Sequence, residues 1–331
     1  MQKLIATYRI VTPMFIGDAE QKATSLRPPS IKGALRFWWR ALNWRHQLEF
    51  SANDVSLALQ NLHAEEAYLF GSAAQDNSGG QGCFLLQVTE QPKYKIDKTW
   101  PQNNTGSGYL GFGLFESGNV GTGNFQPHRE AIVEGSHFTL QLGFKPKTSA
   151  STIESLRETL QVWSLLGGLG SRARRGFGSI CLETLDGTTV ADSLDSYKQK
   201  LSDLINNFQN ITDYPPYTAF GGHTRFAIIA EGQEAREVHS QAGNAYKDHR
   251  GEPSTLRGKV KLPFGLPLQG VDENRRRASP LFFHVHALKN DSFAATVLYL
   301  PADFHPDYSS DNLTDFYRPV RHFVQIEAQG N

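Results

Sequence analysis

The segment Gly167-Gly168-Leu169-Gly170-Ser171-Arg172-Ala173-Arg174-Arg175-Gly176-Phe177-Gly178 brings together residue types that suit a phosphate. Glycines let a backbone approach closely and present N–H groups. Arginines supply charge with bidentate geometry, and Phe177 offers a stacking face. Gly168 to Ala173 also fits the GxGxxA dinucleotide pattern, which must follow a strand and open a helix. Here the order is reversed, so that reading is set aside. The bland alternative is a flexible surface loop.

A second concentration lies near the N-terminus. No acidic residue occurs between Glu20 and Glu49, a window holding Lys22, Arg27, Lys32, Arg36, Arg40 and Arg45 with Trp38, Trp39 and Trp44. At helical periodicity Ile31, Leu35, Trp38 and Leu42 form one apolar stripe, and Lys32, Arg36, Trp39 and Arg40 form the adjacent face. Trp38 reads as core. Trp39, among cations, reads as able to stack on a base or fill a partner's pocket. A solvated helix face usually alternates sign, and this one does not.

A third basic stretch runs through Arg257, Lys259 and Lys261 to Arg275-Arg276-Arg277, interrupted by Asp272 and Glu273. Catalytic motifs are scarce: there is no GxxxxGK[ST], HExxH or GxSxG. His284-Val285-His286 would put two imidazoles on one strand face, but nothing nearby in sequence supplies a third ligand, so they read as strand histidines. Asp248-His249 reads as an exposed helix end. His46, His128 or His223 could each serve as a general acid or base, with nothing to choose between them. The two cysteines, Cys83 and Cys181, form no CxxC, which argues against a disulfide scaffold and a cysteine-based zinc site. No cofactor or metal is expected.

The elements that must position these residues follow from pattern. Leu4 to Ile10 reads as a strand. Pro28-Pro29 reads as a stop, after which Ser30 caps a helix to about Phe50. Ala52 to Leu69 reads as a helix, Cys83 to Thr89 and Ser136 to Lys145 as strands, Thr152 to Leu166 as a helix, and Phe177 to Thr184 as a strand. Strand, helix, strand, strand, helix, strand is the split βαβ, ferredoxin-like order, which also underlies RNA-recognition modules. Gln91 to Pro127, rich in glycine and asparagine, reads as an unpacked excursion. Further on, Asp192 to Phe208 and Glu234 to His249 read as helices. Leu281–Leu288 and Ala294–Leu300 read as a hairpin through Lys289-Asn290-Asp291. Asp311 to Gln329 reads as a closing helix kinked at Pro319.

At 331 residues and ~100–200 residues per domain, the chain has room for two domains. Residues 1–187 are taken as the first, with loop 167–178 and excursion 91–127, and residues 188–331 as the second. Lys+Arg and Asp+Glu are 33 each, which excludes a uniformly basic protein but not a local basic groove. Met1 to Ile16 has no apolar run of signal-peptide type, no window suits a membrane span, and two cysteines fit a reducing, cytoplasmic setting.

Thr12-Pro13-Met14-Phe15-Ile16-Gly17, Arg27-Pro28-Pro29-Ser30-Ile31-Lys32-Gly33-Ala34-Leu35-Arg36-Phe37-Trp38-Trp39-Arg40-Ala41, Arg174-Arg175-Gly176-Phe177-Gly178-Ser179 and Arg277-Ala278-Ser279-Pro280-Leu281 together resemble the RAMP superfamily. More narrowly, they resemble the family of first RAMP subunits of the Cmr complex, the type III-B CRISPR effector. The resemblance spans the chain and implies an α+β fold of two ferredoxin-like domains. It also implies an antiviral ribonucleoprotein of crRNA, complementary target RNA and other Cmr subunits, in which this subunit sits near the crRNA 3′ end, helps capture target RNA and is not catalytic. The expected RNA-binding residues are Arg27, Ser30, Lys32, Arg36, Trp39, Arg40, Gly170, Arg172, Arg174, Arg175, Phe177, Arg275, Arg276 and Arg277. Two rivals stand beside this reading: a metal-independent RAMP endoribonuclease that processes crRNA, and a purely structural adaptor.

Overall fold

The computed structural model describes residues 2–17, 22–23, 25–72, 80–93, 96–114, 129–252, 256–308 and 312–329. The first half contains β1 (Lys3–Ile10), α1 (Pro28–Phe50), α2 (Val55–Phe70), β2 (Phe84–Glu90), β3 (Ile96–Asp97), α3 (Gly106–Leu110), β4 (Ala131–Ile132), β5 (His137–Phe144), α4 (Ala150–Leu166), β6 (Ile180–Leu185) and β7 (Thr188–Thr189). Along β1 every second residue is buried, Leu4, Ala6, Tyr8 and Ile10, as a half-covered strand requires. The sheet runs β2-β5-β1-β6-β7, with all pairs antiparallel. Its first four strands have the ferredoxin-like order. Helices α1 and α4 cover one face. The Tyr8 hydroxyl donates to the Leu160 carbonyl of α4 at 3.1 Å, and the Trp39 indole N–H of α1 donates to Ser155 Oγ of α4 at 2.8 Å.

The second half contains α5 (Leu194–Asn206), β8 (Arg225–Gly232), α6 (Ala235–Gly251), β9 (Leu266–Leu268), β10 (Asp272–Arg277), β11 (Leu281–Ala287), β12 (Phe293–Tyr299), α7 (Leu313–Phe316) and α8 (Arg318–Gln329). The strands β11-β12-β8 form an antiparallel sheet, which is the same order over three strands. Asn290 sits at φ 62° in the tight connection Lys289–Asp291, a left-handed position that asparagine tolerates. Pro319 falls at the start of α8 and separates it from α7. Helix α5 buries Tyr197, Leu201, Leu204 and Ile205 in the core shared with β1 and α1.

The glycine-rich excursion is packed where it is described, contrary to the sequence reading. Trp100 wedges between Phe177 and His239, with ring centroids 5.0 and 5.2 Å away. Helix α3 lies backbone-to-backbone on α6: a Cβ on Gly106 would fall 1.9 Å from the Ser240 carbonyl, and one on Gly243 would fall 2.1 Å from that of Gly106. The glycines there serve close approach rather than looseness. Residues 94–95 and 115–127 of the excursion lie outside the described residues.

Candidate nucleic-acid interface

Pro28 and Pro29 begin α1 rather than stop the chain before it. They occupy its first two positions after Arg27, whose φ of −96° and ψ of 132° are extended. Proline suits this place because its ring presets φ and its missing N–H would be unpaired anyway. Ser30 is therefore inside the helix and does not cap it. No side chain does, and the Ser30 N–H donates to the Arg27 carbonyl at 3.0 Å. The Ile31 N–H donates to the same carbonyl at 3.3 Å, so with two prolines and two used N–H groups this helix end offers an anion little but the Ser30 side chain.

The glycine–arginine loop is pinned, not mobile. Gly170 has φ +95°, and a Cβ there would meet the Phe15 carbonyl at 2.6 Å, so only glycine fits. The Ser171 N–H donates to that carbonyl at 2.7 Å. Thr12 Oγ1 and Ser179 Oγ both donate to the Gly176 carbonyl, at 2.6 and 3.0 Å. On the far side the Phe283 N–H donates to the Arg174 carbonyl at 2.9 Å, and Arg175 forms a parallel bridge with Phe283. The loop thus joins the edge of the second sheet.

A cleft of about 490 Å³ opens between α1 and this loop, lined by Arg27, Ser30, Phe37, Arg129, Gly170 and Arg174 among others. A second cleft of about 460 Å³ shares Phe37 and Arg174 with the first and continues past Arg40, His63, Tyr217 and Arg277. The two make one groove, with Glu66 as the acidic residue along it. Arg174 stands at the junction. Its guanidinium lies 5.1 Å from the Phe37 ring and 4.4 Å from that of Phe282, and donates to the Ser279 carbonyl at 3.3 Å. Burial, with Arg277 and Arg175 nearby, pulls its pKa down to about 10. No carboxylate pairs with it among the described residues. A largely desolvated cation without a counter-charge favours any anion that enters.

A RAMP superfamily model matches residues 7–181, which include α1 and the glycine–arginine loop.

The chain belongs to the RAMP superfamily.

Residues 223–324 match the Cmr1-like C-terminal family. The chain is 29% identical over 320 residues to CRISPR system Cmr subunit Cmr1-1 of Pyrococcus furiosus, covering 88% of this chain and 85% of that one. Among solved structures it resembles that of apo Cmr1 from Pyrococcus furiosus, with TM-score 0.63, 24% identity, and 98% and 97% of the two chains covered. It also resembles a chain of the type III-B Cmr-beta complex bound to cognate target RNA, with TM-score 0.55, 11% identity, and 97% and 99% covered. Both likenesses support the two ferredoxin-like domains.

Of the residues this RAMP chain offered from its sequence, the groove collects Arg27, Ser30, Arg40, Gly170, Arg174 and Arg277. The others go elsewhere. Trp39 is fully buried and cannot stack on a base. Phe177 is likewise buried, packed on Phe15, Trp100 and His239. The carboxylate lacking around α1 comes from α2: Glu66 pairs with Arg36 at 3.2 Å and Arg40 at 3.5 Å. Arg36 also lies over Phe70 and donates to the Gly71 carbonyl at 2.8 Å. Lys32 lies 4.9 Å from the Phe84 ring, with burial and Arg36 lowering its pKa.

The loop divides its arginines. Arg172 is exposed and lies against Gly113. Arg175 turns to the second domain, over Tyr246 and Phe283 at 5.1 and 5.8 Å. Arg275 is held by Asp272 and Asp307 at 3.0 and 2.5 Å. Arg276 is exposed and bonds the Glu273 and Arg275 carbonyls, while Arg277 reaches the Asp303 carbonyl. Arg129, His63 and Tyr217 join the groove without having been expected. Arg129 donates to Ser171 Oγ at 2.5 Å, a proximity across 42 residues that no local spacing shows.

One cluster lies apart from the groove. His284 and His286 do have a third possible ligand, Cys181 of β6, and the three donor atoms lie within 4.8 Å of one another. Neighbours in sequence could not reveal it, because it comes from the other sheet. Among the described residues no helix is long and apolar enough to cross a membrane.

Proposed function

We propose that this chain is a non-catalytic, RNA-binding subunit of a type III-B Cmr ribonucleoprotein. In this reading it sits near the crRNA 3′ end, helps capture complementary target RNA, and works beside other Cmr subunits. The named relative is a Cmr subunit, and a solved complex of similar fold is bound to cognate target RNA. The observation that carries the reading is Arg174, half-buried against Phe37 and Phe282 with no carboxylate partner among the described residues, at the junction of a groove that also holds Arg27, Arg40 and Arg277. Guanidinium groups along a groove neutralise phosphates without reading bases, so binding is tolerant of sequence and sensitive to salt. Each neutralised phosphate of a single strand contributes a slope of about −0.7 to log K against log salt.

The test is a salt titration of single-stranded RNA binding by the purified chain and by Arg174→Ala combined with Arg277→Ala. A flatter slope and weaker binding across unrelated sequences support the reading. An unchanged affinity and slope overturn it.

A metal-independent endoribonuclease is the second reading, and one observation favours it: His63 is exposed and lines the groove beside Arg174 and Tyr217. Site-specific RNA cleavage in EDTA, lost in His63→Ala, would establish it. Intact RNA under those conditions supports the non-catalytic reading.

A further inference from the structure

We propose that Cys181, His284 and His286 form a zinc-type metal site that fastens the two sheets together. Cys181 stands on β6 of the first sheet, and the histidines stand on β11, the edge of the second. All three are nearly fully buried. Cys181 Sγ lies 3.2 Å from His286 Nδ1, and His284 Nε2 lies 3.4 Å from the same nitrogen.

The outer hydrogen bonds fix which ring nitrogens carry protons. His284 Nδ1 faces the Gly167 carbonyl at 2.8 Å. A carbonyl only accepts, so Nδ1 is the N–H. His286 Nε2 faces Asp192 Oδ2 at 3.2 Å. Lys200 and the Ser196 hydroxyl hold that carboxylate through Oδ1, at 2.6 and 3.0 Å, so it too accepts, and Nε2 is the N–H. In the neutral rings, the inward nitrogens, His284 Nε2 and His286 Nδ1, then both present lone pairs. Sγ also behaves as an acceptor, taking the Ala287 N–H at 3.1 Å. The Cys181 thiol proton, or a second proton on His286, can bridge one pair of these atoms; a metal ion would take all three lone pairs at once.

The geometry suits a tetrahedral ion. Zinc–nitrogen bonds of about 2.0–2.1 Å and a zinc–sulfur bond of about 2.3 Å give edges of about 3.4 Å between nitrogens and about 3.6 Å between sulfur and nitrogen. The nitrogen edge agrees, the edge from sulfur to His286 Nδ1 is a few tenths short, and the sulfur and His284 Nε2 lie within 4.8 Å of each other. Each imidazole also has the outer acceptor that orients a metal-bound histidine, a carboxylate for one and a carbonyl for the other. The Tyr197 ring stacks on His286 at 4.0 Å and 2°, holding its plane. One thiolate with two imidazoles is a borderline-soft donor set, which favours Zn²⁺ over Mg²⁺ or Ca²⁺. On binding, the thiol proton of Cys181 leaves to solvent, a sulfur–metal bond forms, and the fourth position goes to water.

The experiment uses the full chain purified without chelator, with metal content measured, followed by Co²⁺ titration of the stripped protein. The expected result is one equivalent of bound Zn²⁺. With Co²⁺, visible bands of a tetrahedral site and a thiolate-to-cobalt charge-transfer band should appear, and Zn²⁺ should displace them. Cys181→Ser should lose the charge-transfer band, His284→Gln and His286→Gln should weaken binding at least tenfold, and Cys83→Ser should change nothing. Added Zn²⁺ should raise the melting temperature of the stripped wild type but not of Cys181→Ser. A wild type that takes up neither metal stoichiometrically overturns the proposal, whatever the folding of the variants. So does binding that survives Cys181→Ser and His286→Gln.

Discussion

Arg36 and Arg174 are both partly buried guanidiniums lying over phenylalanine rings, Phe70 in one case and Phe37 with Phe282 in the other. Arg36 has Glu66 at 3.2 Å and a carbonyl at 2.8 Å. Arg174 has one carbonyl and, among the described residues, no carboxylate. The first charge is answered inside the fold and ties α1 to α2. The second meets no carboxylate among the described residues, and in the proposed reading an RNA phosphate answers it. Arginine near aromatic rings therefore indicates nothing by itself; the counter-charge separates structure from recognition.

The largest expected effect tests the structural side. Trp39→Ala empties a fully buried site on α1 and should lower stability by roughly 3–5 kcal/mol, read by thermal or denaturant unfolding. The refolded fraction should keep its RNA affinity. A stable variant with weakened RNA binding would return Trp39 to the interface. Next comes Arg174→Ala alone, which should weaken RNA binding by about 1.5–3 kcal/mol, the range for a hydrogen bond to a charged group, roughly 10–100-fold by fluorescence anisotropy. Arg36→Ala should fall well short of that, and equal losses would erase the distinction between the two arginines.

A third prediction concerns the anchor of the loop. His239 Nε2 donates to the Arg175 carbonyl and Nδ1 accepts from the Ser107 hydroxyl, each at 2.8 Å. The neutral ring is therefore the fitted form, and burial lowers its pKa from 6.5 to about 4. Between those values the unfolded chain binds more protons than the folded one. This contribution is thus complete above pH 6.5 and is lost as pH falls towards 4, on the order of 2–3 kcal/mol at the low end. His239→Gln should unfold with a shallower pH dependence than the wild type over that window, in a melting series. Parallel curves would show that His239 is not the titrating anchor. The smallest effect is the Arg36–Glu66 pair. A double-mutant cycle with Arg36→Ala and Glu66→Ala should give a coupling under about 1 kcal/mol, because Arg36 is partly exposed to solvent. A coupling well above that would make the pair more than a surface tie.

What was legible in the sequence was whatever repeats locally. The alternation in β1 and β5, the apolar stripe of α1 and α4, and the hairpin through Lys289-Asn290-Asp291 all appear where periodicity placed them. What was not legible depends on elements far apart in the chain. Glu66 neutralises the face of α1 from another helix. Cys181 meets His284 and His286 across 103 and 105 residues. Gly106 and Gly243 are glycines because two backbones touch, a fact with no local signature. Trp39 and Phe177 were misread for a related reason: an aromatic beside arginines looks like a stacking platform until the fold closes over it.

The edge pairing of the glycine–arginine loop with β11, through the Phe283 N–H and the Arg174 carbonyl, has a mechanical consequence. The same loop is held to the end of β1 by Thr12 and to Phe15 by Ser171, so it belongs to both lobes at once. A hinge between the lobes could not open without unzipping it. The groove floor is accordingly preorganised, and a strand of RNA settling there would find Arg174 already aimed, with little entropy left to lose on the protein's side.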